Sequence, residues 1–187
     1  MAYPALETSR LLLKPIELDD AHAIQQLLPR WEVVRLLYKG IPWPYPPTGA
    51  HDFLKQIVLP NIAKGKLWAW SLRTHEHPDQ LIGIIELYRS SHQNRSFWLA
   101  PEWQGHGYMT EAVEAVTVYW FEMLEFERLV SQNAVLNKGP ARISKRTGMR
   151  LIGHSHGDFL EGDNLATEIW EITRSEWKKR ASKRSWS

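Results

Sequence analysis

Residues 98–112 read WLAPEWQGHGYMTEA, with Gly105 and Gly107 between a strand-like segment and the strongest helical pattern in the chain. In that pattern Met109, Ala112, Val113, Val116, Trp120 and Leu124 recur at steps of three and four, while Glu111, Glu114, Glu122 and Glu125 lie largely off the stripe. Glycine gives up the most backbone freedom on ordering, so a helix that begins on glycines needs a reason. A plain turn is one reason. An anion that must reach the unpaired N–H groups of the first helical turn is another. RLVSQNAV (128–135) follows as a strand, so the segment reads as a local parallel crossover.

The flanking elements fit an α+β domain around a mixed, twisted sheet. RLLLKPI (10–16), LWAWSLR (67–73), LIGIIELYR (81–89) and RSFWLA (95–100) read as strands, the last three as an antiparallel meander. DDAHAIQQLL (19–28) reads as a helix with Ala23, Ile24, Leu27 and Leu28 on one stripe and Asp19 or Asp20 as cap. IPWPYPPTGA (41–50) carries four prolines and must be a loop, with Thr48 capping a helix over 50–64. A short helix over 139–148 ends on Gly148, and strands at 150–156 and 166–173 close the chain around a loop, GDFLEGDN.

Composition narrows the class. The chain has 187 residues, 43% of them hydrophobic, which suits one globular domain. No apolar run is long enough to span a bilayer, and no secretory signal is read at the start; a cytoplasmic location is expected. With no cysteine, thiolate metal sites and cysteine nucleophiles are excluded. The segment from Arg174 holds six of the 23 Lys and Arg but one of the 21 Asp and Glu, leaving a body of 17 basic against 20 acidic residues. A nucleic-acid face is therefore not expected. The domain is assigned to residues 1–177, with 178–187 as a basic, flexible tail.

The glycine loop is neither a dinucleotide fingerprint, since Thr110 stands where the third glycine belongs, nor a P-loop, since no Lys-Ser or Lys-Thr pair follows. Several stretches together resemble the GNAT superfamily of acyl-CoA-dependent N-acyltransferases, in its RimJ/RimL branch. ETSRLLLKPIELDDAHAI is similar to that branch's opening strand and helix. FWLAPEWQGHGYMTEAV is similar to its acetyl-CoA motif, Gln/Arg-x-x-Gly-x-Gly/Ala, with Gln104, Gly107 and Met109 in the defined places. Asn137 and RISKRTGM (142–149) resemble the segment after the next strand, and the likeness spans roughly residues 7–177.

The resemblance implies a sheet with helices on both faces, whose central strands splay to admit acyl-CoA. It implies transfer of an acetyl group from acetyl-CoA to a primary amine, on a protein N-terminus or a small molecule, without a metal; a homodimer stays open. Main-chain N–H groups from Gln104 through Gly105, His106, Gly107, Tyr108, Met109 and Thr110 would hold the pyrophosphate. Main chain near Trp98 and Leu99 would pair with the pantetheine, and Asn137 belongs to the same site. Four residues depart from the pattern: Met109 replaces the usual small residue, His106 stands where a Lys or Arg is common, Pro140 replaces a serine proposed to protonate the leaving thiolate, and Asn94 sits near where a glutamate often acts as base.

Two carboxylates compete as base. Asp158, in GDFLEG, resembles the branch's proposed glutamate; Glu86 interrupts the apolar strand IGIIELY, which is unusual for a charge unless it is exposed, paired or functional. Trp31, Tyr38, Trp43 and Tyr45 fall where the family builds its acceptor pocket, and Glu161 and Asp163 join Asp158 as an acidic cluster that would attract a cationic amine. Two rival readings stand beside this one. One is an acyl-CoA-binding module without turnover. The other is a metal-dependent hydrolase using His154, His156 and Asp158, whose HSHGD spacing puts both histidines on one strand face.

Overall fold

The computed structural model describes residues 3–184. Five strands form one sheet in chain order: β1 (Leu6–Glu7), β2 (Leu11–Pro15), β3 (Leu67–Thr74), β4 (Gly83–Tyr88) and β5 (Arg95–Leu99). Three more form a second sheet in the order β6 (Arg128–Ala134), β8 (Gly162–Thr173), β7 (Arg150–Phe159). Every ladder in both sheets is antiparallel, so the expected mixed sheet is two antiparallel sheets set side by side.

The two sheets meet around Asn94, beside which Gln93 Oε1 accepts the Gln132 N–H at 2.6 Å and the His92 carbonyl accepts from Gln132 Nε2 at 3.0 Å. Asn94 donates its N–H to the Val130 carbonyl at 2.8 Å, and its Oδ1 accepts the Val130 N–H at 2.8 Å. Its Nδ2 donates to the carbonyls of Ser90, at 2.6 Å, and Tyr88, at 3.1 Å. Every polar side-chain atom of this buried asparagine is thus spent on main chain, which is what a buried amide requires. Beyond Asn94, no ladder links β5 to β6 among the described residues, and the strands separate.

Period-two alternation along the strands feeds two cores. On β3, Trp68, Trp70 and Leu72 face α5 (Tyr108–Val118) and its π-helical continuation Tyr119–Met123, where Met109, Ala112, Val113, Val116 and Trp120 are buried. Leu67 and Ala69 face the other way, toward α1 (Ala21–Leu27), α2 (Trp31–Val34), α3 (Gly49–Phe53) and the π-helical turn Leu54–Val58 that leads into α4 (Leu59–Ala63). The helical stripe of the sequence is the buried face of α5, and Met109 turns into it at 6% exposure.

Three expectations change. Thr48 does stand before α3, but its hydroxyl donates to the Asp52 carboxylate at 2.7 Å rather than to a backbone N–H. The loop expected at GDFLEGDN shrinks to the turn Leu160–Glu161, because Phe159 already pairs with Gly162. The basic tail, as far as it is described, is helix α7 (Arg174–Arg184): Trp177 stacks on Phe121 with ring centroids 5.4 Å apart, and Arg180 donates to the Arg146 carbonyl and the Glu114 carboxylate. An amphipathic side of that segment was available to dock, and charge counting alone hid it. Residues 185–187 lie outside the described residues.

Candidate active site

The glycine loop is built as the sequence asks. Gly105 and Gly107 have φ of 83° and 82°, a region that side chains with a Cβ enter at a cost, and Gly107 is the residue from which α5 starts. The N–H groups of Gly105 through Thr110 have no hydrogen-bond partner among the described residues. They open onto a cavity of about 730 Å³ whose far wall is α6 (Lys138–Arg146), which contributes Arg142, Lys145 and Arg146. None of these three cations is ion-paired among the described residues, so unpaired dipoles and unpaired positive charges face the same space. Arg10 holds the loop from outside, donating to the His106 carbonyl at 3.0 Å, pairing with Glu111 at 2.7 Å and lying 4.7 Å from the Tyr108 ring centre.

A second cavity, of about 740 Å³, adjoins the first; Leu37, Phe97, Trp98, Asn137 and Pro140 line both. Its walls are mostly aliphatic and aromatic, and its floor is the outward face of β4 and β5. There Glu86 and Ser96 are directly opposed, with Tyr88 two residues along the same face. Ser96 donates to Glu86 Oε2 at 2.8 Å, the Tyr88 hydroxyl donates to the same oxygen, and the two hydroxyls lie 2.9 Å apart. Oε1 has no partner among the described residues. Burial pushes the Glu86 carboxyl above its usual range, against the two hydrogen bonds that favour its ionised form. Burial and the neighbouring carboxylate push the Tyr88 phenol well above its own.

The strand edge between the cavities supplies main-chain donors. Tyr88 N–H bonds to the Asn94 carbonyl and Ala100 N–H to that of Ile82, so the even-numbered positions of β5 turn toward β4. The main-chain groups of Phe97 and Leu99 therefore face the gap toward β6. The Leu99 carbonyl is already occupied by Gln104 Nε2 at 2.8 Å.

Residues 10–150 match a family described as "Acetyltransferase (GNAT) domain". The chain belongs to the GNAT acetyltransferase family. It is an enzyme that transfers an acetyl group from acetyl-CoA to an amine. An N-acetyltransferase of Bacillus subtilis named YnaD, itself uncharacterized, is 26% identical over 176 residues, covering 92% of this chain and 98% of the relative. The fold matches that of the ribosomal-protein-S5-alanine acetyltransferase of Vibrio fischeri with a TM-score of 0.79, at 17% identity over 94% of this chain and 99% of the other. It also matches the spermidine N-acetyltransferase of Vibrio cholerae, solved with CoA and spermine, with a TM-score of 0.76, at 20% identity over 91% and 99%.

Within this acetyltransferase the predicted site residues divide. Trp98, Leu99, Gln104, Gly105, Gly107, Tyr108, Met109, Thr110 and Asn137 line the first cavity; His106 does not, its ring lying outside beside Tyr108 at 5.8 Å. Trp98 contributes a side chain, because its main chain is directed at β4. Tyr38 and Tyr45 line the second cavity. Trp31 and Trp43 do not: they pack on each other at 5.5 Å and stay 43% exposed.

Asp158, Glu161 and Asp163 also lie outside both cavities. Asp158 sits in β7, where its Oδ1 accepts the N–H of Asn164, a residue held at φ 55°. Glu161 pairs with Arg35 at 3.1 Å and Asp163 with Lys39 at 2.5 Å, so two acids of the cluster are already ion-paired. His154 and His156 stand on the edge strand opposite Glu168 and Ala166, and no group of three His, Asp or Glu side chains converges among the described residues. No described helix is long and apolar enough to cross a membrane.

Sequence reasoning missed six residues: Ser96, Tyr88, the three α6 cations and Arg95. Ser96 and Tyr88 were visible only once the register of β4 against β5 was known. The α6 cations lay in the quoted motif but had no partner to face until the helix was placed. Arg95, also in the lining of the second cavity, is 1% exposed and held by Ser144 Oγ at 3.4 Å and Met149 Sδ at 3.3 Å, with its Nε unpartnered; burial pulls its guanidinium down to about 10.

Proposed function

We propose that the first cavity takes the coenzyme A part of acetyl-CoA, that the second takes the amine, and that Glu86 is the base between them. The pyrophosphate would sit on the N–H groups of Gly105 to Thr110, with Arg142, Lys145 and Arg146 as counter-charges. The arm would run along the free edge of β5 toward the residues common to both cavities, and the Phe97 or Leu99 N–H would donate to the thioester oxygen as negative charge grows there.

An ammonium has no lone pair, so the incoming amine must lose a proton before it attacks. Glu86 Oε1, the unpartnered oxygen at the cavity floor, is the observation that carries this reading. Ser96 and Tyr88 hold Oε2 and so aim the carboxylate. A carboxyl raised by burial is a better proton acceptor than a free one. The amine nitrogen then bonds to the thioester carbon, the carbon–sulfur bond breaks, and the nitrogen sheds a second proton as the amide forms; of the two protons lost, one goes to the leaving thiolate and the other, through Glu86 and water, to solvent. Pro140 has no proton to give, so no residue at that position takes part.

The test is release of free thiol from acetyl-CoA across a panel of amines. Glu86→Gln should lower turnover about 10²-fold or more while acetyl-CoA affinity stays within a factor of about two. Asp158→Asn should leave turnover close to that of the parent. A silent Glu86→Gln with a strongly impaired Asp158→Asn would move the base to the β7–β8 hairpin.

A further inference from the structure

We infer that the acceptor is a primary monoamine carried on an apolar aliphatic or aryl-alkyl body, and not a polyamine; this rests on the second cavity being the acceptor site. Two carboxylates reach that cavity, Glu86 at its floor and Asp52 from α3. Asp52 is half-exposed and tied to the Thr48 hydroxyl and to His51. The three acids that sequence reading offered as an acceptor trap are outside the cavity, two of them already salt-bridged.

The rest of the wall is what an apolar body needs. Ile24 and Leu28 from α1, Ile57 from the π-helical turn, Ile84 and Trp98 from the sheet, and Phe159 under Tyr38 surround the space above Glu86. A second ammonium in this space would lose its water and meet no carboxylate but Asp52, which is half-exposed and already bonded to the Thr48 hydroxyl and His51, a cost that a methyl or phenyl terminus avoids. One cation is accommodated, at Glu86, and that cation is the nitrogen to be acetylated. The about 740 Å³ of space is ample for an amine of ten or so heavy atoms.

The experiment compares hexylamine with 1,6-diaminohexane, which share chain length and reacting group and differ in charge at the far end. 2-Phenylethylamine, spermidine and a peptide with a charged second residue complete the panel. The expected result is a kcat/KM for hexylamine and 2-phenylethylamine about tenfold or more above those of the diamine, spermidine and the peptide. Ile57 is 49% exposed, so Ile57→Asp should fold, and it should narrow the hexylamine-to-diamine ratio by raising the diamine. Equal rates for the pair, preference for the diamine, spermidine or the peptide, or a ratio untouched by Ile57→Asp would overturn the inference. The assignment of Glu86 fails separately: hexylamine preferred with Glu86→Gln fully active removes the base and keeps the acceptor class. Spermidine preferred with Glu86→Gln inactive does the reverse.

Discussion

At the scale of single residues, the structure sorts polar groups by whether their hydrogen bonds are finished. Asn94 is complete, which ends any role as a base and makes it a clip between sheets. Replacing it with Leu leaves the Val130 N–H and the Ser90 carbonyl without partners and the Tyr88 carbonyl with the Ser90 N–H alone, and should cost about 2–4 kcal/mol in urea unfolding. Arg95 is incomplete in the opposite sense, a buried cation with no carboxylate beside it. Arg95→Met keeps the stem and removes the charge, so it should raise the urea midpoint; a fall would mean that the guanidinium is held better than its two long contacts suggest. Glu86 was legible as a charge in an apolar strand. Its partners were not, because cross-strand neighbours depend on register, and register is set by the whole meander.

At the scale of elements, most strands and helices were legible because their hydrophobic periods were clean. The last hairpin misled because Gly, Asp and Asn mark loops as readily as a bulged hairpin; strands β7 and β8 carry register shifts at Leu151/Gly153 and Gly157/Phe159. The result is that Asp158, read as a loop base, is a strand residue stabilising a positive φ at Asn164.

Helix α7 was hidden by its charge, yet its start carries a reciprocal cap: Thr173 N–H donates to Glu176 Oε2 at 2.8 Å, and Glu176 N–H to the Thr173 hydroxyl at 3.3 Å. Those main-chain and hydroxyl bonds, with Arg150 adding to them, hold the Glu176 carboxyl down at about 2. A lowered carboxyl contributes stability above its unfolded value and loses it as pH falls toward the folded one. The contribution should therefore fade between about pH 4.5 and 2, and Glu176→Gln should flatten the acid limb of the thermal midpoint in that window. An unchanged acid limb would detach α7 from the stability of the domain.

At the scale of the molecule, two sheets pinned around Asn94 leave a gap, and two cavities of similar size meet across it. The gap positions unpartnered backbone N–H groups on one side and a half-satisfied carboxylate on the other. Acetyl-CoA should raise the thermal midpoint above its dissociation constant, and neutralising Arg142, Lys145 and Arg146 together should weaken its binding and its salt dependence. Unaltered affinity in that triple variant would remove α6 from the phosphate site.

Glu86 takes the proton in this mechanism, and the pH dependence of kcat/KM with a fixed amine is the sharpest check on that role. In the parent, kcat/KM should rise with pH through a midpoint above the ordinary carboxyl value, because burial favours the protonated form in the fold. The Glu86→Gln variant should lack that limb and rise only as the amine deprotonates unaided, so the gap between the two proteins should shrink toward high pH. Parallel profiles, with the carboxyl limb present in the variant, would contradict the claim.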